Sequence, residues 1–339
     1  MSPLEFYPWQ RATAQRWLQQ RERFAHAWLI HGLAGIGKTQ FAKAGAAALL
    51  CEQPQSFLAC GQCDACQWVQ SGNHPDLRWV RPDAVAAIEN PDDSTIDSKT
   101  PSKWLRVEQL RALTDWFNTA THRGGYRVAV LYPAEALNPV SSNALLKILE
   151  EPPTHTVFLL VADRYQQLLP TIVSRCRRLP LSTPDHTTSL AWLQAQMVQT
   201  PEAWLAAAGG APLAAYRLAQ QMSKPYPDWL EQLQNTLLKG QEQAIIALAS
   251  EIEKEPATQW LTVLQRWYVD LLLACYGQPV RYYPDLQVST QQLSQRSHAL
   301  RLQQQWKWLL TQKQHSEHPL NAKLWVHTAL ERVIHSFIH

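Results

Sequence analysis

The chain has 339 residues and a formal net charge of +3, and 46% of its residues are hydrophobic. This length allows two or three domains with cores of their own, and the small net charge excludes a polycation that binds nucleic acid with its whole surface. No run of about 18 apolar residues occurs, and the N-terminal sequence lacks a basic segment followed by an apolar one. We therefore expect a cytoplasmic protein without a membrane span or signal peptide.

Short apolar runs alternate with helical patterns over the first 180 residues, which predicts a parallel sheet flanked by helices. Helical periodicity predicts helices over Phe41–Leu50 and Val107–Ala120, and the polar residues 81–103 are typical of a surface loop. The predicted strands are Trp28–His31, Leu77–Val80, Val128–Leu131, Val157–Val161 and Arg178–Leu181.

The strand pattern ends after Pro184, and the rest of the chain has the periodicity of helices. Residues 185–222 predict a small helical unit with a break at Gly209–Pro212, and everything after residue 226 is expected to be helical. The pattern predicts three domains, which are an α/β P-loop domain over 1–182, a small helical domain over 183–224 and an all-α domain over 225–339.

A phosphate-binding loop lies between the first predicted strand and the helix that follows it. Residues 32–39, Gly-Leu-Ala-Gly-Ile-Gly-Lys-Thr, are a complete match to the pattern G-x-x-x-x-G-K-[ST]. Glycines let backbone N–H groups converge on a phosphate, Lys38 would reach the β- and γ-phosphates, and the Thr39 hydroxyl would face magnesium. The candidate nucleotide-binding residues are therefore Gly32, Gly35, Gly37, Lys38 and Thr39. The alternative is a loop that is retained only for its tight turn.

The third predicted strand lacks the acids that an ATPase requires at this place. An Asp would hold the metal and a Glu would activate the attacking water, but Val128–Leu131 continues into Tyr132 and Pro133. Glu135 comes two residues too late, so we expect its side chain to point elsewhere. Hydrolysis by this chain is therefore hard to support, whereas Lys38 leaves the binding of ATP open.

Four cysteines, Cys51, Cys60, Cys63 and Cys66, lie within sixteen positions of one another. Their spacing lets four thiolates surround one tetrahedral zinc ion, and a shell closed by four protein ligands is typical of a structural site. An iron–sulfur cluster and four unligated thiols are the alternatives, and we favour zinc. The segment 51–66 contains no Lys or Arg, which argues against a knob that binds DNA phosphates.

Two further segments carry motifs whose composition alone implies little. Residues 141–153 predict a helix that two prolines end, with Ala144, Leu145 and Ile148 facing the core. The run Ser174–Cys176 places Arg175 near the end of the α/β domain. An arginine at a subunit edge can neutralise charge on the γ-phosphate of a neighbour, although it could equally be a surface charge or a local ion-pair partner.

In combination and in this order, these motifs resemble the subunits of bacterial clamp loaders, which are AAA+ proteins of the DNA polymerase III holoenzyme. The resemblance rests on the glycine loop, the four-cysteine insertion, Asn143–Pro153 and Ser174–Cys176, and Pro8–Gln10 and Asn73–Asp76 also fit it. It covers residues 8–180 and implies a P-loop AAA+ domain, a helical lid and an all-helical collar that joins subunits into an open ring.

Two departures from the family pattern distinguish its subunit types. The ATP-hydrolysing gamma/tau type would carry Asp-Glu where this chain has Tyr132 and Pro133. Active subunits also have a sensor arginine just after a Gly-Ser pair, and Leu213 takes that place here. Both losses fit the delta-prime type, which resembles a rigid stator and does not hydrolyse ATP on its own. An active gamma/tau-like motor is the alternative.

The resemblance also implies partners and a role. Such a subunit would work with gamma/tau and delta subunits, and through the complex with the sliding clamp and primer–template DNA, to load the clamp during replication. Arg175 would act as an arginine finger in trans at the ATP site of a gamma/tau neighbour. Residues 122–127 offer cations that DNA could contact, but we favour a solvated turn there.

Overall fold

The computed structural model describes residues 2–19, 24–90, 100–117, 119, 121–122, 125–314 and 322–337. These residues form two compact units, Met1–Pro184 and Asp185–His339. A division of the second unit into a lid over 183–224 and a collar over 225–339 stays a prediction.

A five-stranded, fully parallel sheet forms the centre of the first unit. Its strand order is β2-β3-β4-β1-β5. Every residue of β3 and β4 is buried, as expected for a parallel sheet that helices cover on both faces. All five predicted strands are confirmed to within one residue at each end. The strands are β1 Ala27–His31, β2 Leu77–Val80, β3 Arg127–Leu131, β4 Thr156–Ala162 and β5 Arg177–Pro180.

The strand order brings the ends of three strands together. Because β4 lies between β1 and β3, the carboxyl ends of these three strands meet at one edge of the sheet. His31 at the end of β1 pairs with Ala162 at the end of β4. The next residues along the two strands, Gly32 and Asp163, therefore leave the sheet side by side.

Seven helices are described in the first unit. Some of them were predicted from the sequence, and others were not. The polar segment 81–103 is not a loop throughout, because its alanine-rich part forms α4. The first, third and seventh helices were not predicted at all, and positions 118 and 120 of the predicted helix Val107–Ala120 lie outside the described residues. The helices are α1 Arg11–Leu18, α2 Lys38–Leu50, α3 Asp64–Ser71, α4 Asp83–Glu89, α5 Val107–Phe117, α6 Pro139–Glu150 and α7 Pro170–Arg175.

Small side chains let α2 lie close to the sheet and to α1. Its alanines at 42, 44 and 46–48 are buried, and an alanine-rich helix has a high intrinsic helical propensity. A Cβ atom added at Gly45 would come within 2.6 Å of the Trp17 ring, so the glycine makes room for this aromatic side chain. This packing fixes the start of α2, where the glycine loop ends.

The second unit is entirely helical in the residues described, as predicted. One group of buried side chains includes Leu193, Trp204 and Leu205, and a larger group includes Trp229, Trp260 and Trp267. Among the residues that the structure describes, none of the helices is both long and apolar enough to cross a membrane. The helices are α8 His186–Ala195, α9 Pro201–Ala207, α10 Pro212–Gln221, α11 Asp228–Lys239, α12 Glu242–Ala247, α13 Ala249–Ile252, α14 Ala257–Cys275, α15 Gln287–Ser294, α16 Ala299–Gln314 and α17 Ala322–His335.

Candidate nucleotide site and metal centre

The glycine loop connects β1 to α2 in the arrangement that a phosphate-binding loop requires. Gly35 and Gly37 have φ angles of 82° and 88°, a region that glycine adopts without steric strain. Lys38 is the first residue of α2 and Thr39 the second. The backbone of the loop is therefore suited to gather N–H groups around an anion, as the sequence predicts.

Side chains from the N-terminal segment hold the loop from outside. Trp9 Nε1 donates a hydrogen bond of 3.0 Å to the Ile36 carbonyl. Gln10 Nε2 donates to the carbonyls of Ile36 and Gly37 at 3.0 and 2.9 Å. The Tyr7 ring stacks on Trp9 with centroids 4.8 Å apart, and it covers Gly37 so closely that a Cβ atom there would lie 2.6 Å from the ring. Sequence reasoning did not assign this supporting role to Pro8–Gln10.

The side chain of Lys38 is turned into the loop and only 3% exposed. Its Nζ donates to the Leu33 carbonyl at 2.6 Å and lies 2.5 Å from Oδ1 of Asp163, the first residue after β4. The ammonium that would bind a nucleotide phosphate therefore already has a carboxylate partner. Periodicity could not reveal this pair, because it depends on the order of strands in the sheet.

His31, the last residue of β1, lies close to two positively charged side chains. The pKa of His31 lies below its ordinary value because the ring is partly buried and because Arg178 and Lys38 are close by. The His31 ring also contacts Tyr165, with centroids 4.5 Å apart. His31 is therefore biased towards its neutral form, and the charge of the loop comes from Lys38.

At the end of β3, the place of the metal-binding Asp is occupied by a buried phenol. Tyr132 is 3% exposed, donates from its hydroxyl to Glu89 Oε2 at 2.6 Å and accepts from Arg81 Nη1 at 2.9 Å. Arg81 and Lys43 also form ion pairs with Glu89, at 2.7 and 3.2 Å. Burial and the neighbouring Glu89 raise the pKa of Tyr132, so it stays neutral and cannot replace a carboxylate.

Glu135 is the nearest acid after β3 in the sequence, and its side chain is engaged elsewhere. Its Oε1 accepts a hydrogen bond of 2.5 Å from the backbone N–H of Arg164. The carboxylate therefore holds the segment that carries Asp163. One oxygen of Glu135 is thus engaged in a contact that supports the backbone after β4.

Arg175 is the last residue of α7 and its side chain is partly exposed. Its Nη2 lies 2.5 Å from Glu150 Oε1 at the end of α6, and its Nη1 donates to the Thr171 carbonyl at 3.1 Å. The two side chains are 35% and 51% exposed. The ion pair thus joins the segments Asn143–Pro153 and Ser174–Cys176 at the surface of the first unit.

The four cysteines of the insertion are brought together as predicted. Their sulfur atoms all lie within 4.8 Å of one another, and the pairs Cys51–Cys63 and Cys60–Cys66 are 3.9 Å apart. In a tetrahedral shell with Zn–S bonds of about 2.3 Å, sulfur atoms are about 3.8 Å apart. The cluster is therefore able to hold one metal ion with four thiolates, and zinc fits both the donor set and the spacing.

Local backbone geometry prepares one of these sulfur atoms for its charged form. The N–H groups of Gln62 and Cys63 point at Cys60 Sγ, both at 3.4 Å, and they lower the pKa of Cys60 to about 6. Burial instead raises the pKa of Cys51 and Cys66. Buried thiolates are stable only beside a positive charge, which a bound cation would supply.

Comparison with known families agrees with this geometry. Residues 10–185 match the family model described as DNA polymerase III, delta subunit. A DNA polymerase III subunit delta' from Pseudomonas aeruginosa is 35% identical over 320 residues, which are 91% of each chain. The chain belongs to the delta-prime family of DNA polymerase III subunits. Its Escherichia coli relative, also a subunit delta', is 31% identical over 77% of this chain and 75% of its own length.

The chain is also similar to tau subunits over part of its length. A DNA polymerase III subunit tau from Salmonella typhimurium is 37% identical to this chain over 163 residues, which are 48% of this chain and 22% of that one. The similarity to tau concerns only part of each chain, whereas the delta-prime similarity spans nearly the full length. The family-level prediction from the motifs is thus confirmed.

The delta-prime type was inferred from two departures from the residue pattern of active subunits. The residues concerned lie in different units of the structure. Tyr132 and Pro133 follow β3 in the first unit, and Leu213 lies in the first turn of α10 in the second unit. The roles of the individual site residues, including the glycine loop and Arg175, stay predictions.

Proposed function

We propose that this chain is the non-hydrolysing delta-prime subunit of a DNA polymerase III clamp loader, which acts in the cytoplasm and helps to load a sliding clamp onto primed DNA. Its partners would be gamma/tau and delta subunits, and the clamp and primer–template DNA would be reached through the complex. The names and extent of its relatives support this assignment. The second unit would supply a helical lid and a collar for assembly.

The observation that carries the non-hydrolysing part of the proposal is the end of β3. Magnesium in a P-loop ATPase needs an acid there, and the attacking water needs a second polar group. Here a neutral phenol takes the first position and a proline the second, and Tyr132 is tied to Glu89 and Arg81. Thr39 alone would hold magnesium weakly, because Mg²⁺ favours carboxylate and phosphate oxygens.

The contribution to ATP turnover would come from Arg175 acting in trans. Its guanidinium lies at the partly exposed end of α7, where it can leave Glu150 for a stronger partner. A γ-phosphate carries more negative charge than one carboxylate, so the exchange is favourable once a neighbouring ATP site comes close. Such an arginine stabilises the charge that develops in phosphoryl transfer.

The metal centre would be a structural zinc site. Four cysteine sulfurs fill a tetrahedral shell and leave no open position for water or substrate. The metal would fix the segment between α2 and α3, where Cys51 directly follows one helix and Cys63 directly precedes the other. Its role would therefore be to hold shape, because a closed shell offers no site for catalysis.

An active gamma/tau-like motor is the second candidate, and one observation favours it. The glycine loop is complete, and both Lys38 and Thr39 are in their expected positions. The loop alone binds phosphate but does not activate water, so the substitutions after β3 outweigh it.

Steady-state ATP turnover by the purified full chain separates the two candidates. We expect no turnover above background, either alone or with primed DNA, and no difference between the parent chain and Lys38→Ala. Turnover that disappears in Lys38→Ala would overturn the proposal. Glu135→Gln would then be measured next, because Glu135 is the first acid after β3.

A further inference from the structure

We propose that Asp163 is an internal competitor for nucleotide phosphate, because its carboxylate occupies the position on Lys38 that a phosphate oxygen would take. A nucleoside triphosphate would enter the glycine loop only by displacing this carboxylate from the Lys38 ammonium. The inference concerns what a nucleotide must displace to reach Lys38, and it depends neither on the role of Arg175 nor on the assembly of a complex.

The register of the sheet explains why residue 163 is placed to compete. Ala162 pairs with His31, so the residue after β4 lies next to the start of the glycine loop. Asp163 Oδ1 is 2.5 Å from Lys38 Nζ, and the same ammonium donates to the Leu33 carbonyl at 2.6 Å. Two of the three N–H donors of Lys38 are therefore already directed at oxygen atoms within the protein.

The two side chains of this ion pair differ in exposure. Lys38 is buried and needs a partner, whereas Asp163 is exposed and can leave. The Lys38 side chain is 3% exposed, and a charge so far from water requires a partner of opposite sign. The Asp163 side chain is 53% exposed, so it can turn into solvent without a large change in its hydration. An incoming phosphate would replace the carboxylate on Lys38 and would repel it at short range, because both are anions.

A second acid keeps the competitor in place. Glu135 Oε1 accepts the backbone N–H of Arg164 at 2.5 Å, which restrains the residue next to Asp163. The loop itself is held by Trp9 and Gln10 through the carbonyls of Ile36 and Gly37. Both members of the ion pair are thus carried by segments that are fixed by other contacts.

Competition by Asp163 predicts the direction in which the affinity for ATP changes when the carboxylate is removed. If Asp163 only blocks Lys38, then Asp163→Asn removes the negative charge while it keeps the shape and an oxygen acceptor. Lys38 would then have no full counter-charge, and the loop would attract phosphate more strongly. We expect ATP to bind about tenfold more tightly to this variant, which corresponds to about 1.4 kcal/mol.

The experiment is a calorimetric titration of the full chain with ATP, with and without Mg²⁺. The parent chain is compared with Asp163→Asn, Lys38→Ala and the double variant, and thermal melting verifies that each is folded. Asp115→Asn is the matched control, because Asp115 is exposed on α5 and the substitution changes the net charge equally. We expect tighter binding only in Asp163→Asn and no measurable binding in either variant that lacks Lys38.

Three results would overturn the proposal. Equal affinity in the parent chain and Asp163→Asn would show that the carboxylate does not compete. Weaker binding in Asp163→Asn only when Mg²⁺ is present would make Asp163 a metal-holding acid. No measurable binding to Asp163→Asn would show that removing the carboxylate does not open the loop. Each of these results leaves the turnover measurement of the proposed function unaffected.

Discussion

The cysteine cluster and the candidate nucleotide site differ in completeness. This chain supplies all the ligands of the first but only some of the residues that an ATPase needs for the second. Cys51, Cys60, Cys63 and Cys66 bring a full tetrahedral donor set together. The candidate nucleotide site has a complete loop, but Tyr132 stands where an ATPase would carry an acid. Four thiolates from one chain can close a metal shell without a further ligand, whereas an ATP site at a subunit edge can take an arginine from a neighbour.

The largest expected effect is the loss of the metal. Cys63→Ala or a strong chelator should reduce the metal content from about one equivalent per chain to none, as measured by plasma emission. Metal binding contributes about 10 kcal/mol to the folding of small zinc domains, so the segment between α2 and α3 should become open to proteolysis. Cys275→Ala, outside the cluster, should keep its metal. A chain that contains no metal as isolated and yet resists proteolysis would contradict a structural metal site, and iron instead of zinc would change the identity of the metal.

A smaller effect is expected for Arg175, which would act at the ATP site of a neighbouring subunit. Arg175→Ala, assembled with gamma/tau and delta subunits, should lower the ATP turnover stimulated by clamp and DNA. Arginine fingers contribute about 10³ to 10⁵ in rate in related chemistry, and we expect a smaller loss because the ring has other ATP sites.

Glu150→Gln is the control for that measurement. It removes the charge that holds Arg175 within its own chain but leaves the arginine present. Turnover should therefore stay at the parent level or rise. Equal turnover in the parent and in Arg175→Ala would show that Arg175 does not act at a neighbouring ATP site.

The smallest expected effect lies at the end of β3. Tyr132→Phe removes a hydroxyl that bonds to Glu89 and Arg81 but keeps the ring and the ion pair between those two residues. The free energy of unfolding should fall by about 1 kcal/mol, which is typical of one lost hydrogen bond. Denaturant unfolding measures the change, and the variant should gain no turnover. An unchanged stability would show that the hydroxyl network does not hold this end of the strand.

Much of the first unit could be predicted because its signals are local. Strands β1, β3 and β4 followed from buried apolar runs and the metal cluster followed from cysteine spacing, whereas β2 is only partly buried and β5 is largely exposed. Helix α4 was missed because Pro82 and the polar residues after Asn90 dominate the composition of its segment.

The ion pairs of the candidate site could not be predicted in the same way. Lys38 with Asp163 and Arg175 with Glu150 join residues that are far apart in the sequence. Their contacts depend on which strands and helices are neighbours, and periodicity does not contain this information. The sequence motifs therefore identified Lys38 and Arg175 as candidates, but only the fold showed their ion-pair partners.

The packing around the glycine loop has a consequence for how such motifs persist in evolution. A side chain at Gly37 would collide with Tyr7, and one at Gly32 would collide with the Leu181 carbonyl. Both glycines are therefore required by their neighbours even in a protein that never meets ATP. In a lineage that abandons nucleotide, this steric requirement would preserve the glycines whether or not Lys38 and Thr39 changed. A search for glycine spacing alone would count such descendants as ATPases, and the residues after β3 are the better diagnostic.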